Sequence, residues 1–65
     1  MEKKVWKRWE LEDEYRLVEL RVTGAQYSEI AQALGRSLDS VKKRAAHMQK
    51  LKTFAEYAEE FGINY

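Results

Sequence analysis

The sequence of 65 residues has no cysteine, no proline, one histidine and three glycines. Without cysteine, neither a disulfide nor a cysteine-ligated metal site can form, and the redox compartment is left open. The lone histidine, His47, cannot build a zinc site by itself. No apolar run approaches the roughly 20 residues of a membrane-spanning helix, and no signal-peptide core follows the basic start. We therefore expect a soluble, intracellular protein without a metal.

The sequence also lacks any pattern typical of a catalytic site. It has no glycine-rich phosphate loop, and Ser28, Ser37 and Ser40 have no histidine and carboxylate at a suitable spacing. Asp13 and Glu14 are adjacent, so on a helix they point to different faces and do not form a paired acid and base. A chain this short buries only about 60% of its unfolded surface, which leaves little room for a deep site. We expect one domain that is not an enzyme and binds no cofactor or small molecule.

Charge is plentiful, and its sign changes from one segment to the next. Residues 1–9 carry +3, residues 10–20 carry −4, residues 36–52 carry +5 and residues 53–65 carry −3, although the net charge is only +1. Such segregation predicts one basic face and one or two acidic faces. The alternative is that these side chains only keep the helix surfaces in water.

Apolar residues at helical spacing predict four helices and no strand, hence an all-α fold. The first helix is expected from about Glu10 to Val22, the second from Tyr27 to Leu34, the third from Leu38 to about Leu51 and the fourth from Phe54 to Phe61. In the first helix one apolar stripe is formed by Leu11, Tyr15, Val18 and Val22, and a second by Leu17 and Leu20. In the third helix the packed side is expected to be Leu38, Val41, Ala45 and Met48.

Capping residues set the expected helix ends. Gly35 can adopt the left-handed conformation that ends the second helix, and Ser37 is a favourable N-cap for the third. Thr53 and Glu56 have the spacing of a capping box at the start of the fourth helix, which Gly62 would end.

The segment from Tyr27 to Arg44 thus predicts a short helix, a tight turn and a second helix rich in basic residues. Two helices joined in this way form a helix-turn-helix, whose second helix fits the DNA major groove. In that placement lysines donate to guanine O6 and N7 or to phosphate, and an alanine methyl suits a thymine methyl. The candidate DNA-binding residues are Arg36, Ser40, Lys42, Lys43, Ala46, His47 and Lys50, together with Lys3 and Lys4 of a basic N-terminal arm.

From Trp9 to Leu51 the chain resembles a Myb/SANT-type helix-turn-helix domain, in the compact form found in small bacterial and phage regulators. Trp9 followed by an acidic cluster resembles the opening of that family, and the Gly24–Ala31 segment resembles its second helix. The turn at Gly35 and the segment Ser40–Arg44 are similar to the start of its recognition helix. Two alanines depart from the family pattern: Ala45 stands where a core tryptophan is usual, and Ala46 where an asparagine often contacts a base.

The resemblance implies a three-helix, Myb/homeodomain-like core that binds double-stranded DNA through its third helix, as in a small transcriptional regulator. The expected organisation is a basic arm over residues 1–8, the domain over residues 9–52 and a C-terminal helix over residues 53–65. The expected location is cytoplasmic and nucleoid-associated, or nuclear in a eukaryote.

Several alternatives stay open at this point. Arg44 lies at the border of the packed side, so it either forms an ion pair with Glu12 or Asp13 of the first helix or contacts DNA. The fourth helix either covers the core of its own domain or docks a homodimer partner or host protein through Phe54, Tyr57 and Phe61. If the fourth helix docks a partner, the chain is a protein-interaction module instead of a regulator. A further alternative is an accessory in DNA packaging or recombination.

Overall fold

A computed structural model describes residues 8–65, and this part of the chain forms four α-helices and no strand. The helices are α1 (Leu11–Val22), α2 (Tyr27–Leu34), α3 (Leu38–Gln49) and α4 (Phe54–Phe61). The all-α prediction is confirmed, and the bounds of α2 and α4 are those expected. Two ends differ slightly: Glu10 is the N-cap of α1, and Lys50 caps α3. Lys3 and Lys4 lie outside the described residues.

The helix ends follow local hydrogen bonding. The Ser37 hydroxyl accepts from the Ser40 amide at 3.1 Å, and Thr53 and Glu56 form the expected capping box. Gly35 ends α2 with φ 68°, a left-handed conformation that other residues adopt only at a cost. The N-cap of α2 is Gln26, whose backbone N–H donates to the Glu29 carboxylate at 2.8 Å. Each of these helix ends is therefore capped by residues close to it in sequence.

The hydrophobic core lies between all four helices. Leu17, Ile30 and Val41, from α1, α2 and α3, are fully buried. Burying a side chain of this size stabilises the fold by roughly 1.5–3 kcal/mol, so the core dominates the stability of so short a chain. The remaining core residues are Val18, Ala31, Ala45, Met48, Phe54, Tyr57, Ala58 and Ile63.

The fourth helix packs on α1 of its own chain. The rings of Tyr15 and Phe61 lie 5.6 Å apart, and those of Tyr57 and Phe61 lie 5.9 Å apart. Phe54 and Tyr57 are each only 8% exposed. Phe54 and Tyr57 are therefore part of the core, and Tyr15 and Phe61 are half-buried against it, which leaves little aromatic surface for another protein.

One expectation about α1 is wrong. Leu11 was expected in the buried stripe, but it is 68% exposed. Leu11 is the first residue of the helix, and the buried part of α1 begins only at the turn after it, where Tyr15 packs on Phe61. Helical spacing predicts on which face of the helix a residue lies, but not at which turn the packing against other helices begins.

Candidate nucleic-acid interface

The third helix has one packed side and one open side. Val41, Ala45 and Met48 are buried, as expected. Leu38, which was expected with them, is 43% exposed, because it is the first residue of α3 and lies ahead of the packed turns. On the other side the structure brings together the predicted Lys42, Lys43, Ala46, His47 and Lys50, all exposed, while Ser40 is half-buried. No part of α4 covers these residues, since they are open to solvent with α4 in place. We call this exposed set, Lys42, Lys43, Ala46, His47 and Lys50, the α3 ridge.

A groove of about 590 Å³ runs along one flank of the α3 ridge. Three of its lining residues, Asp39, Lys43 and His47, are spaced four apart, so they form a row along α3. The Lys43 Nζ lies 3.3 Å from Asp39 Oδ2, and both side chains are about three-quarters exposed. An ion pair this exposed contributes little to stability, so both groups remain available to a ligand. The other lining residues are Trp9, Ser37, Ser40 and Arg44.

A second groove lies on the other flank and is lined by residues from α1, α2 and α3. Leu38 and Lys42 line it from α3, whereas Tyr27 and Ser28 belong to the start of α2. The Arg21 guanidinium lies 4.5 Å from the centre of the Tyr27 ring and donates to the Ala25 carbonyl at 2.9 Å. The α3 ridge therefore stands between two grooves, each with a lysine at its border.

Trp9 holds the start of α1 against the turn before α3. The Arg36 guanidinium lies 4.0 Å from the centre of the Trp9 ring, and that of Arg44 lies 5.3 Å from it. Arg36 Nη2 also donates to Asp13 Oδ2 at 2.9 Å and to the Arg8 carbonyl at 2.8 Å. Cation–π contacts and ion pairs here act on the same guanidinium, so the arrangement fixes its position closely.

Arg36, which the sequence predicts at the DNA interface, is turned inward in the structure. Its side chain is only 5% exposed and pairs with Asp13, which is 29% exposed. A guanidinium enclosed in this way has almost no surface to offer a phosphate. Arg36 instead holds the turn before α3 against Trp9 and Asp13.

Of the two alternatives for Arg44, the structure has the ion pair with α1, although the partner is Glu14. Arg44 Nη1 donates to Glu14 Oε2 at 3.2 Å, and the two side chains are 27% and 22% exposed. Asp13 is already bound to Arg36, and Glu12 faces solvent. The two adjacent carboxylates of α1 thus hold two arginines from the other side of the domain, rather than being solvated as a cluster.

The remaining basic residue of the 36–52 block faces away from the α3 ridge. Lys52 donates to a Glu60 carboxylate oxygen of α4, and its ammonium lies 5.3 Å from the centre of the Tyr57 ring. The hydrogen bond to Glu60 raises the pKa of Lys52 above its ordinary value. Exposed carboxylates at Glu56 and Glu59 add to the negative charge of α4. Acidic α4 and the basic α3 ridge are therefore distinct surfaces.

Two residues that line the first groove were not among the predicted site residues: Trp9, which was expected only as a family feature, and Asp39. Their places in the first groove depend on how α1 and α3 cross. The one usable signal was the spacing of four residues that puts Asp39 on the face of Lys43 and His47. The groove itself is visible only in three dimensions.

Other kinds of site find no support in the described residues. Within residues 8–65, no three histidine or acidic side chains are grouped so as to bind a metal ion. None of the four helices is long and apolar enough to cross a membrane. Comparisons with protein-family models, with curated proteins and with solved structures find no match for this chain.

Proposed function

We propose that this chain is a double-stranded DNA-binding module of a small transcriptional regulator, with α2 and α3 acting as a helix-turn-helix and α3 entering the major groove. The observation that carries the proposal is the α3 ridge: α3 is buried on one side, and its lysines all lie on the open side, whereas its one arginine pairs with α1. A helix with positive charge on one exposed face attracts the phosphates of DNA.

The dimensions of α3 suit that role. Its 12 residues give a length of about 18 Å, and the major groove is about 12 Å wide, enough to admit one helix. The grooves on either flank leave space beside the helix for DNA. Lys43 lines one groove and Lys42 the other, so positive charge lies on both flanks of the helix.

The contacts around Trp9 support a rigid presentation of α3. They join the segment before α1, the turn at Arg36 and the middle of α3 through the two guanidinium groups. A rigid surface loses less conformational entropy on binding than a mobile one. The same contacts fix the Arg8 carbonyl beside Arg36. We propose in addition that Lys3 and Lys4 of the basic arm contact the DNA backbone or the minor groove.

The alternative of a protein-interaction module has weaker support. Of the aromatic side chains proposed for docking, Phe54 and Tyr57 lie in the core of their own chain, and Phe61 is half-buried against that core. A role in packaging or recombination needs the same DNA contact and adds an assembly surface. The regulator is preferred because its contact with DNA needs no dedicated assembly surface.

A single helix in one major groove buries a modest surface, so one copy alone is expected to bind weakly. Tight binding then requires a dimer, repeated sites or a partner protein. A monomer is therefore expected to bind DNA with measurable but modest affinity.

A mobility-shift assay at one stated salt concentration tests the proposal. The variant Lys43→Ala, Lys50→Ala removes two charges from the α3 ridge and is expected to weaken binding at least tenfold, a loss of about 1.4 kcal/mol or more. The matched control is Arg16→Ala, Lys52→Ala, which removes the same charge from outside the ridge. Equal binding by wild type and the ridge variant would overturn the proposed interface.

A further inference from the structure

The only acidic residue of α3 lies beside its lysines, on the open side. Asp39 is in the first turn of the helix, where a carboxylate favours the positive end of the helix dipole. The dipole accounts for an acid in this turn but gives no reason for its place in the groove with Lys43 and His47. On a surface that binds DNA, a carboxylate repels phosphates and lowers affinity for every sequence alike. Asp39 favours DNA binding only where its carboxylate accepts a hydrogen bond from a base.

Building on the proposed function, we infer that Asp39 is a specificity-determining residue that selects cytosine at the base pair next to a guanine bound by Lys43. The acceptor and the donor form one unit, since the Asp39 Oδ2 and Lys43 Nζ atoms are 3.3 Å apart. Stacked base pairs follow one another at about 3.4 Å, so the two head groups match neighbouring base pairs.

The chemistry of the two groups decides which bases they suit. An ionised carboxylate only accepts hydrogen bonds, and an ammonium only donates them. In the major groove the donors are cytosine N4 and adenine N6. Adenine presents its N7 acceptor beside N6, which repels a carboxylate, whereas cytosine presents the donor alone. Guanine offers Lys43 two neighbouring acceptors, O6 and N7.

Removal of Asp39 is expected to have opposite effects on the affinity for the preferred site and on the affinity for unrelated DNA. Asp39→Ala loses the contact with cytosine, so affinity for the preferred site is expected to fall about five- to tenfold. The same change removes a charge that repels phosphates, so affinity for unrelated duplex DNA is expected to rise about two- to threefold. A residue that only stabilises the helix start would lower both affinities together.

Asp39→Asn provides a second, more specific test. The amide carries both an acceptor and a donor, and pairs with adenine through N6 and N7. This variant is therefore expected to change the preference at that position from cytosine to adenine. A structural role for Asp39 predicts no change of base, since Asn is nearly the same size and also suits a helix start.

The experiment selects binding sites from a random duplex library with wild type, Asp39→Ala and Asp39→Asn in parallel. The Kd of each chain is then measured at fixed salt for the selected site, for the site with cytosine replaced, and for an unrelated duplex. Glu12→Gln is the matched control, because Glu12 is also an exposed acid in the first turn of a helix but lies on α1. Circular dichroism verifies that each variant keeps its helices.

The expected result is a cytosine next to guanine in the wild-type and Glu12→Gln sites, no preference there for Asp39→Ala, and adenine for Asp39→Asn. If all four chains select the same site with equal affinities, the inference about Asp39 is overturned while DNA binding stands. If wild type enriches no duplex, the proposed function itself fails, and the role of Asp39 fails with it.

Discussion

The Arg36 guanidinium lies 4.0 Å from the centre of the Trp9 ring, across 27 positions of sequence. The contact joins the segment before α1 to the turn that precedes α3, and Asp13 completes it with an ion pair. α3 is thus held at its start by residues from the opposite end of the domain. Whatever α3 binds, its orientation depends on this contact.

Arg36→Ala is expected to lower the free energy of unfolding by about 2–4 kcal/mol, because it removes a side chain that is 5% exposed and leaves Asp13 without its ion-pair partner. Arg36→Lys keeps the charge but loses the planar stacking on Trp9, so about half of that loss is expected. Urea denaturation followed by circular dichroism measures both. A loss below about 0.5 kcal/mol for the alanine variant would show that the contact is not structural.

The ion pair between Arg44 and Glu14 is expected to stabilise the fold more than it serves DNA binding. A double-mutant cycle with Arg44→Ala and Glu14→Ala should give a coupling energy of about 0.5–1 kcal/mol, since both groups are partly exposed. In the DNA assay Arg44→Ala should weaken binding less than Lys43→Ala does. If Arg44→Ala weakens binding more than Lys43→Ala does, Arg44 contacts the DNA.

The pair Lys52–Glu60 predicts a loss of stability at alkaline pH. The hydrogen bond to Glu60 raises the pKa of Lys52 in the folded chain, so the protonated lysine is favoured by folding. Its contribution is fully present below the unfolded pKa and is lost as pH rises through the folded pKa, above about pH 10. Thermal unfolding of wild type and Lys52→Met across this range checks it. The Tm difference between them should shrink as pH rises, and a constant difference would contradict the assignment.

Gly35→Ala is expected to destabilise the chain by about 1–2 kcal/mol, because alanine must adopt the left-handed conformation that φ 68° requires. Gly35→Asn should cost less, since asparagine tolerates this region. Because the turn sets the angle between α2 and α3, the alanine variant should also bind DNA less tightly. Thermal unfolding and the mobility shift measure the two effects, and wild-type values for both would mean that the turn does not constrain α3.

Local features of the sequence were sufficient to place the helices. The capping box of Thr53 and Glu56 and the glycine at Gly62 bound α4, and Ser37 begins α3. These signals act within a few residues, so they survive without knowledge of the tertiary fold. The bounds of α2 and α4 accordingly needed no correction.

Contacts between distant segments were not predictable in the same way. Arg36 looked like part of the basic surface, because its partner Asp13 lies 23 residues away on another helix. Glu14 was not among the carboxylates considered for Arg44, since a helical repeat gives a face but not the crossing point of two helices. Asp39 was not among the predicted site residues, because the groove that it lines with Lys43 and His47 is formed only when Trp9 and α3 come together.

The salt dependence of duplex binding tests the central claim most directly. With four to six phosphates contacted, the slope of log K against log salt concentration should be about −4 to −5 for wild type. In Lys43→Ala, Lys50→Ala the slope should be smaller in magnitude by about one to two, while Arg16→Ala, Lys52→Ala keeps the wild-type slope. Identical slopes for all three chains, or no salt-dependent binding by wild type, would contradict the claim that the open side of α3 binds DNA.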